Sequence, residues 1–324
     1  MAYLRNLETS EKLYLFSHHT FGRRLELVDT PLPQAEISKI HAAIEWNGQE
    51  WQIRDLGRNG TWLDQAKLNP AENTPLALNQ QINFAKLPHY SWVVEDLSPP
   101  CNLLVGLNAA SPTESLSNYH LLPNTKDPIA ALAFSHEQGS WHLEALNPNE
   151  PNTYDYNEVE IPANGTISIG KYQWQLFLNA EQAQTLDQQY DQVQAENCAF
   201  HFEVSLDEEH TLLNLENQHQ KISLGERSHH YLLLHLARVK AEHAKQGIDE
   251  KSQGWINNEQ LSRELGIDVP HINIQIFRAR KQISDAFPDM LGLSELLQRR
   301  RGSVRFNCPQ ARVSKGQQTE VLGI

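Results

Sequence analysis

The sequence predicts a multidomain protein in which two consecutive all-β sandwiches precede an α+β domain. Short runs with alternating apolar residues, separated by turn residues, fill residues 13–97 and again 103–179, and this spacing is typical of β-sandwiches. After residue 198 the apolar residues adopt a helical period. A length of 324 residues also exceeds one ordinary domain. We therefore expect three domains, at 1–98, 99–179 and 198–313. A linker at 180–197 and a tail at 314–324 complete the chain.

The cysteines and the hydropathy favour a cytoplasmic protein. The three cysteines lie far apart and form no Cys-x-x-Cys motif, which argues against a disulfide framework or a zinc site. The N-terminus lacks the apolar core of a signal peptide, and no run of about 18 apolar residues occurs. We expect a protein that requires no metal or cofactor and crosses no membrane.

The charge is unevenly distributed. The whole chain carries −13, yet residues 251–315 hold 11 Lys/Arg against six Asp/Glu. That segment is therefore positive by about five charges, and the rest of the chain is strongly negative. This asymmetry indicates an acidic body with a basic binding end.

The two β-regions resemble each other. The stretch "GQEWQIRDL" at 48–56 recurs as "QGSWHLEAL" at 138–146, so that Trp51 is matched by Trp141. We interpret this as an internal repeat of one sandwich type. The alternative is that two unrelated β-domains share a tryptophan and an alternating pattern.

The dipeptide Asn59-Gly60 is a common signal for a two-residue hairpin turn, because both residues tolerate positive φ. Taken alone, it predicts a turn and no ligand. The upstream sequence holds two further short motifs, Gly22-Arg23 and Ser38-Lys39-x-His41. The three motifs together are much more specific than each one alone.

Their order, over about residues 10–97, resembles the forkhead-associated (FHA) domain, an eleven-stranded sandwich that binds phosphothreonine peptides. The chemistry agrees, because phosphothreonine needs a guanidinium, a hydroxyl and further donors that converge from loops. The resemblance implies that five residues contact the phosphopeptide: Arg23, Ser38, Lys39, Arg58 and Asn59. It implies that four others support the site: Gly22, His41, Gly60 and Thr61. The alternative is a sandwich whose loops carry these residues without a ligand.

Two departures limit the resemblance. Arginine usually stands in the family where Lys39 does, so this contact is expected to be a point charge. The second β-region has no Gly-Arg or Ser-x-x-His at the matching positions, and Asn149 falls where Asn59 stood. Its Asn164-Gly165-Thr166 matches a different loop. We therefore expect a degenerate FHA-like sandwich without a phosphate site at 99–179.

In the C-terminal part, short strands are followed by helices, by a helix with Pro270 in its first turn, and by a basic hairpin near Gly302. This order resembles an OmpR-type winged-helix domain over about residues 198–312. Helical geometry turns Ile272, Ile276 and Ile283 inward. It predicts an outward face of His271, Gln275, Arg278 and Gln282, with Lys281 beside it.

The winged-helix resemblance implies double-stranded DNA as a partner, with Arg for guanine and Gln for adenine in the major groove. The implied contact residues are His271, Asn273, Gln275, Arg278, Lys281, Gln282, Arg299, Arg300, Arg301 and Arg305. Asn273, Gln275 and Phe277 depart from the family pattern, and the wing lacks its second Gly and its Tyr. The alternative is a basic helical domain that contacts protein.

No nucleotide-binding, protease, hydrolase or kinase motif is present, so no enzyme activity is expected. The sequence predicts a bacterial-type transcriptional regulator that reads phosphothreonine and binds DNA. The alternative is a phosphopeptide-dependent adaptor whose winged helix contacts protein, for example in a secretion or kinase assembly. The partners expected for the protein are a phosphothreonine-containing protein, double-stranded DNA and, as an option, a second copy of the chain in a homo-oligomer. The His pairs at 18–19 and 229–230 are expected to be surface or packing residues.

Overall fold

The computed structural model describes residues 1–146, 156–179, 194–217, 220–288, 290–300 and 302–322. The chain divides into two compact units. The first is built mainly on Met1–Val105. The second combines Leu116–Gln175 with the C-terminal α+β part.

The first unit contains a sandwich of eleven strands between Tyr3 and Asp96. The strands are β1 Tyr3–Asn6, β2 Lys12–Tyr14, β3 His18–Gly22, β4 Thr30–Pro31, β5 Ala42–Trp46, β6 Trp51–Asp55, β7 Thr61–Leu63, β8 Ala66–Lys67, β9 Asn73–Pro75, β10 Gln81–Phe84 and β11 Ser91–Asp96. One sheet has the order β2-β1-β11-β10-β7-β8, and the other has the order β4-β3-β5-β6-β9.

The sandwich core follows the alternation in the sequence. In β6 the residues Trp51, Ile53 and Asp55 point inward, and in β10 Ile82 and Phe84 do so. These side chains pack between the two sheets, so the loops at the sheet ends remain on the surface. The predicted phosphopeptide motifs lie in those loops.

The next strands are β12 Leu103–Gly106, β13 Glu114–Ser115, β14 Tyr119–Leu122, β15 Ala130–Ser135, β16 Ser140–Leu146, β17 Tyr156–Ile161, β18 Thr166–Ile169 and β19 Tyr172–Phe177. Strands β14–β17 form an antiparallel sheet in chain order, which we call the second sheet. Trp141 on β16 and Trp174 on β19 are buried. The FHA-like character of this region stays a prediction.

The C-terminal part contains strands β20 Ala199–Val204, β21 Thr211–Glu216, β22 Lys221–Glu226, β23 Ile256–Asn257, β24 Leu297–Arg300, β25 Ser303–Phe306, β26 Gln310–Lys315 and β27 Gln318–Leu322. Its helices are α1 Ser228–Lys245, α2 Asn258–Leu265, α3 Val269–Ala286 and α4 Leu293–Leu296. The strand orders are β22-β21-β20-β26-β27 and β23-β25-β24.

The described part of the predicted tail, residues 314–322, belongs mostly to the sheet. Strand β20 pairs in parallel with β26, and β27 continues the sheet after a turn at Gly316. Leu322 is buried in the domain core. The local sequence pattern could not predict the pairing of β20 with β26, because these strands are more than a hundred residues apart in sequence.

The helix boundaries follow the capping signals. Asn257 caps α2 through a bond from the Glu259 amide, and Gly266 ends it in the left-handed region. Asp268 caps α3 by accepting from the amide of His271. Among the helices in the described ranges, none is long and apolar enough to cross a membrane.

Candidate functional site

The loop after β3 and the loop before β5 meet through their backbones. The Arg23 amide donates to the Ser38 carbonyl at 2.9 Å. A Cβ on Gly22 would lie 2.3 Å from the Lys39 carbonyl oxygen, closer than any side chain tolerates. Glycine at position 22 therefore allows the close approach that places Arg23 beside Ser38 and Lys39.

His41 lies beneath these loops and is fully buried. Its Nδ1 accepts a hydrogen bond from the Ser38 amide at 3.1 Å, and its Nε2 bonds the Gly60 carbonyl at 3.0 Å. Because Nδ1 accepts and the carbonyl can only accept, the ring is the neutral tautomer with hydrogen on Nε2. One imidazole thus holds the Ser38 loop and the Asn59 loop together.

The loop that carries Asn59 is not the predicted two-residue hairpin turn. Strands β6 and β7 belong to different sheets, and residues 56–60 cross between them. Only Gly60 has positive φ, at 90°. The Asn-Gly pair correctly signals a change of chain direction. No hairpin forms, because β6 and β7 pair in different sheets and the loop between them crosses the end of the sandwich.

Gly57 and Asp55 also shape this loop, although the sequence motifs do not point to them. A Cβ on Gly57 would lie 2.6 Å from the His41 ring, so only glycine fits there. The carboxylate of Asp55 accepts from the Gly57 amide at 3.1 Å and from the Thr61 hydroxyl at 2.9 Å. Thr61 is fully buried, as suits a supporting residue.

Three cations project from these loops into solvent. Arg23, Lys39 and Arg58 are all exposed. In the described part of the chain, the Arg23 guanidinium makes one long hydrogen bond, of 3.5 Å to the Ala35 carbonyl. Among the described residues, the side chains of Lys39 and Arg58 have no ion-pair or hydrogen-bond partner, so their charge remains available to an anion.

Ser38 and Asn59 supply the neutral polar groups. The Ser38 hydroxyl oxygen accepts from the Arg58 amide at 3.0 Å, which leaves its proton free to donate. The Asn59 amide nitrogen donates to the Glu36 carbonyl at 2.7 Å. This bond fixes the Asn59 side chain and leaves its amide oxygen able to accept from a peptide backbone.

Taken together, the loops present three cations, a hydroxyl donor and an oriented amide at one end of the sandwich. Such a set matches a phosphate dianion attached to a peptide. Across the described ranges, no three His, Cys, Asp or Glu side chains come together as metal ligands.

The second β-region offers no comparable set in its described part. Asn164, with φ of 60°, and Gly165 form the connection between β17 and β18. The segment 149–151, which the repeat aligns with Asn59, lies outside the described residues.

Helix α3 is covered over most of its length, which corrects the predicted outward face. The helix is contacted by α1, α2, β22 and β14. Of the four residues predicted to face outward, His271 is exposed, Arg278 and Gln282 are half-buried and Gln275 is buried; Asn273 is buried as well. Helical periodicity identifies the face of α3 that packs on the core of the C-terminal domain. It cannot show that another element, such as β14, packs on the opposite face.

The side chain of Gln282 is hydrogen-bonded within the C-terminal domain. Its side-chain oxygen accepts from His229 at 2.7 Å and from His230 at 2.8 Å, and its nitrogen donates to the Leu224 carbonyl. Burial lowers the pKa of His229 to about 4 and lowers that of His230 as well. Both rings are therefore neutral packing groups that fix Gln282.

The hairpin β24–β25 carries the predicted wing arginines. Arg300 is exposed and lies 4.1 Å over the Trp255 ring, and Arg305 lies 4.9 Å over the same ring. Arg299 donates to the Asn273 side chain and covers Phe277. Arg301 lies outside the described residues.

A buried ionic cluster joins α3 to the second sheet. The Arg280 guanidinium is paired with the Glu144 carboxylate on β16, and the Tyr119 hydroxyl on β14 donates to the same carboxylate at 3.0 Å. Arg280 is 3% exposed and Glu144 is 6% exposed. Burial alone would lower the pKa of Arg280, but Glu144 and Tyr119 outweigh it and raise that pKa, so the guanidinium stays ionised. Nothing in the sequence motifs points to this cluster.

The family model of the FHA domain matches residues 19–85. This match confirms the FHA domain that the three motifs predicted at the N-terminus. Comparison with curated proteins gives no match.

Several solved structures resemble this region. One is EmbR of Mycobacterium tuberculosis in complex with a low affinity phosphopeptide, at 21% identity and a TM-score of 0.27, covering 31% of this chain and 25% of that one. The chain thus spans about a quarter of the length of EmbR. Another is the FHA domain of an Arabidopsis thaliana hypothetical protein, at 26% identity and a TM-score of 0.27, covering 31% of this chain and 87% of that one.

A third is the N-terminal FHA domain of Rad53p from S. cerevisiae in complex with a phosphothreonine peptide. It is 19% identical with a TM-score of 0.27, and the match covers 29% of this chain and 91% of that domain.

Proposed function

We propose that this protein, whose residues 19–85 form an FHA domain, binds a phosphothreonine peptide of a partner protein. The observation that carries the proposal is the convergence of Arg23, Lys39 and Arg58 with the Ser38 hydroxyl over a loop pair braced by His41. Exposed cations without strong internal partners are costly to bring together unless an anion occupies the site, because like charges repel.

Each group has a distinct role in this proposal. Arg23 offers a guanidinium fork to the phosphate, and Lys39 and Arg58 add positive charge at its sides. The Ser38 hydroxyl donates a further hydrogen bond. Asn59 accepts from the peptide backbone through its amide oxygen, so the site reads a peptide and not free phosphate alone.

Calorimetry on the full chain tests this role. A phosphothreonine peptide should bind, and its unphosphorylated version should not. Arg23→Ala should weaken binding by about 1.5–3 kcal/mol, roughly 10- to 150-fold, because a charge-assisted bond is lost. Arg24→Ala is the matched control, since Arg24 is also exposed but is paired with Glu26 at 3.4 Å. Equal losses of peptide affinity in both variants would show that only the overall charge of the protein matters and that Arg23 is not part of the site.

For the C-terminal domain we propose DNA binding, so that the protein acts as a phosphothreonine-reading transcriptional regulator. The positive segment 251–315 and the exposed Arg300 support this role. We place the protein in the cytoplasm, without enzyme activity, and homo-oligomerisation stays an option.

The alternative function is a phosphopeptide-dependent adaptor whose α3 contacts protein. The packing of Phe277 and Arg280 against the second sheet favours it, because these residues already serve a protein contact. Genome-wide crosslinking of the tagged protein separates the two. Discrete promoter peaks support the regulator, and their absence supports the adaptor.

A further inference from the structure

The side of α3 that faces away from its own domain core is occupied by the second sheet. Phe277 is fully buried in a cluster with Tyr119, Leu121 and Ala131. A helix enters the major groove only when such a face is bare, because the groove is about as wide as the helix itself. In this conformation the second sheet and DNA compete for the same surface.

The cations of α3 are bound by oxygen atoms of the second β-region. Arg280 pairs with Glu144, Arg278 donates to the Lys126 carbonyl, and Lys281 lies 3.3 Å from the Ser117 hydroxyl. In a complex with DNA, phosphate oxygens and base edges would be the acceptors for these same groups. The two sets of acceptors therefore exclude each other.

The loop after α3 is held by the same region. The Pro288 carbonyl accepts from Asn118 at 2.8 Å and from His136 at 3.0 Å. The Gly292 amide donates to the Glu137 carboxylate at 2.7 Å. These contacts extend the interface past the end of the helix, so that release requires the whole edge of the sheet to separate from α3.

We infer that the second sheet is an inhibitory docking surface for α3, closed by the Tyr119–Glu144–Arg280 cluster, and that its release frees Arg278, Arg280 and Lys281 to contact DNA. The inference rests on the DNA-binding role proposed above. It assigns a use to a β-domain whose described part offers no phosphate site. It also explains why an aromatic side chain, Phe277, stands on a helix face where a DNA reader carries polar residues.

The cluster can be opened from the sheet side alone, which leaves the DNA-contacting domain unchanged in sequence. Glu144→Gln removes the counter-charge of a buried guanidinium, so water becomes the better environment for Arg280. Tyr119→Phe removes one hydrogen bond and keeps the packing. Glu160→Gln on β17 is the matched control, because it makes the same charge change at an exposed position.

The experiment measures the affinity of each full-length variant for a labelled duplex of random sequence. We expect Glu144→Gln to bind about tenfold or more tightly than wild type, with a smaller gain for Tyr119→Phe and none for Glu160→Gln. Equal binding by wild type and Glu144→Gln would overturn the inhibitory role and leave DNA binding intact. If neither the wild type nor any variant bound the duplex, both the inhibitory role and the proposed DNA binding would be overturned. The phosphopeptide-binding role would be unaffected, because it is measured in a separate experiment.

A second measurement guards against misfolding of the Glu144 variant. In the wild-type chain, a saturating amount of the same duplex should increase amide hydrogen exchange in β14, because DNA displaces the strand from α3. Bound DNA without any change in β14 exchange would overturn the inference.

Discussion

Nδ1 of His41 accepts a hydrogen bond from the backbone amide of Ser38 at 3.1 Å, so a buried ring sets the position of a surface hydroxyl. The other nitrogen of the ring bonds the Gly60 carbonyl at 3.0 Å. The two loops that carry the proposed phosphopeptide site are thus connected through one side chain.

His41→Leu should loosen both loops. The substitution leaves the Ser38 amide and the Gly60 carbonyl without their partner, at a cost of about 1–3 kcal/mol each when buried. We expect faster amide hydrogen exchange in residues 36–41 and 56–61 and weaker phosphopeptide binding. His18→Leu on β3 is the control, since His18 is exposed, and it should change neither quantity.

Gly57→Ala should disturb the site from below. Its Cβ would meet the His41 ring at 2.6 Å, and overpacking of this kind costs about 1–3 kcal/mol. Thermal unfolding of the FHA domain should shift to lower temperature, and peptide affinity should fall. Gln49→Ala gives the comparison, because Gln49 is exposed on the surface of the same domain. A shift no larger than that of Gln49→Ala would contradict the packing described for His41.

Stability of the C-terminal domain should fall as the pH is lowered from about 6.5 toward 4. The pKa of His229 is about 4 in the folded state against an ordinary value of 6.5, so the unfolded chain binds more protons in this window. Each such group contributes at most about 1.4 kcal/mol per pH unit. His229→Gln should reduce the pH dependence of the melting temperature, and an unchanged slope would show that His229 is not buried in its neutral form.

Truncation tests the C-terminal sheet. Ending the chain after residue 313 removes β27 and part of β26, including the buried Leu322. We expect a loss of at least about 2 kcal/mol in the free energy of unfolding, the cost of exposing one such side chain. A chain that ends at residue 322 is the control and should be as stable as the full chain. Equal stability of both truncated forms would support the predicted tail.

The FHA domain was predictable from the sequence because its residues form short motifs whose local chemistry is specific. Gly22-Arg23 and Ser38-Lys39-x-His41 identify loops that the sandwich then brings together. Gly57 escaped notice because its role depends on contact with a ring sixteen positions upstream.

The remaining differences arise from long-range packing. Periodicity located the core face of α3 correctly, since Ile272, Ile276 and Ile283 are buried. It could not reveal that Arg280 pairs with Glu144, which is 136 positions away. The same limit applies to the parallel pairing of β20 with β26, since alternation marks a strand but not its neighbour.

In the proposed function, the loops at Arg23, Ser38 and Arg58 hold the phosphate of a phosphothreonine peptide. The most direct test follows the Nε–Hε signals of the arginine side chains in the full chain by NMR during titration with such a peptide. We predict that the signals of Arg23 and Arg58 shift and that those of Arg5 and Arg54 stay in place, because these two already pair with Glu95 and Glu45. The unphosphorylated peptide should move none of them. A phosphopeptide that binds while the Arg23 and Arg58 signals remain unchanged would contradict the account.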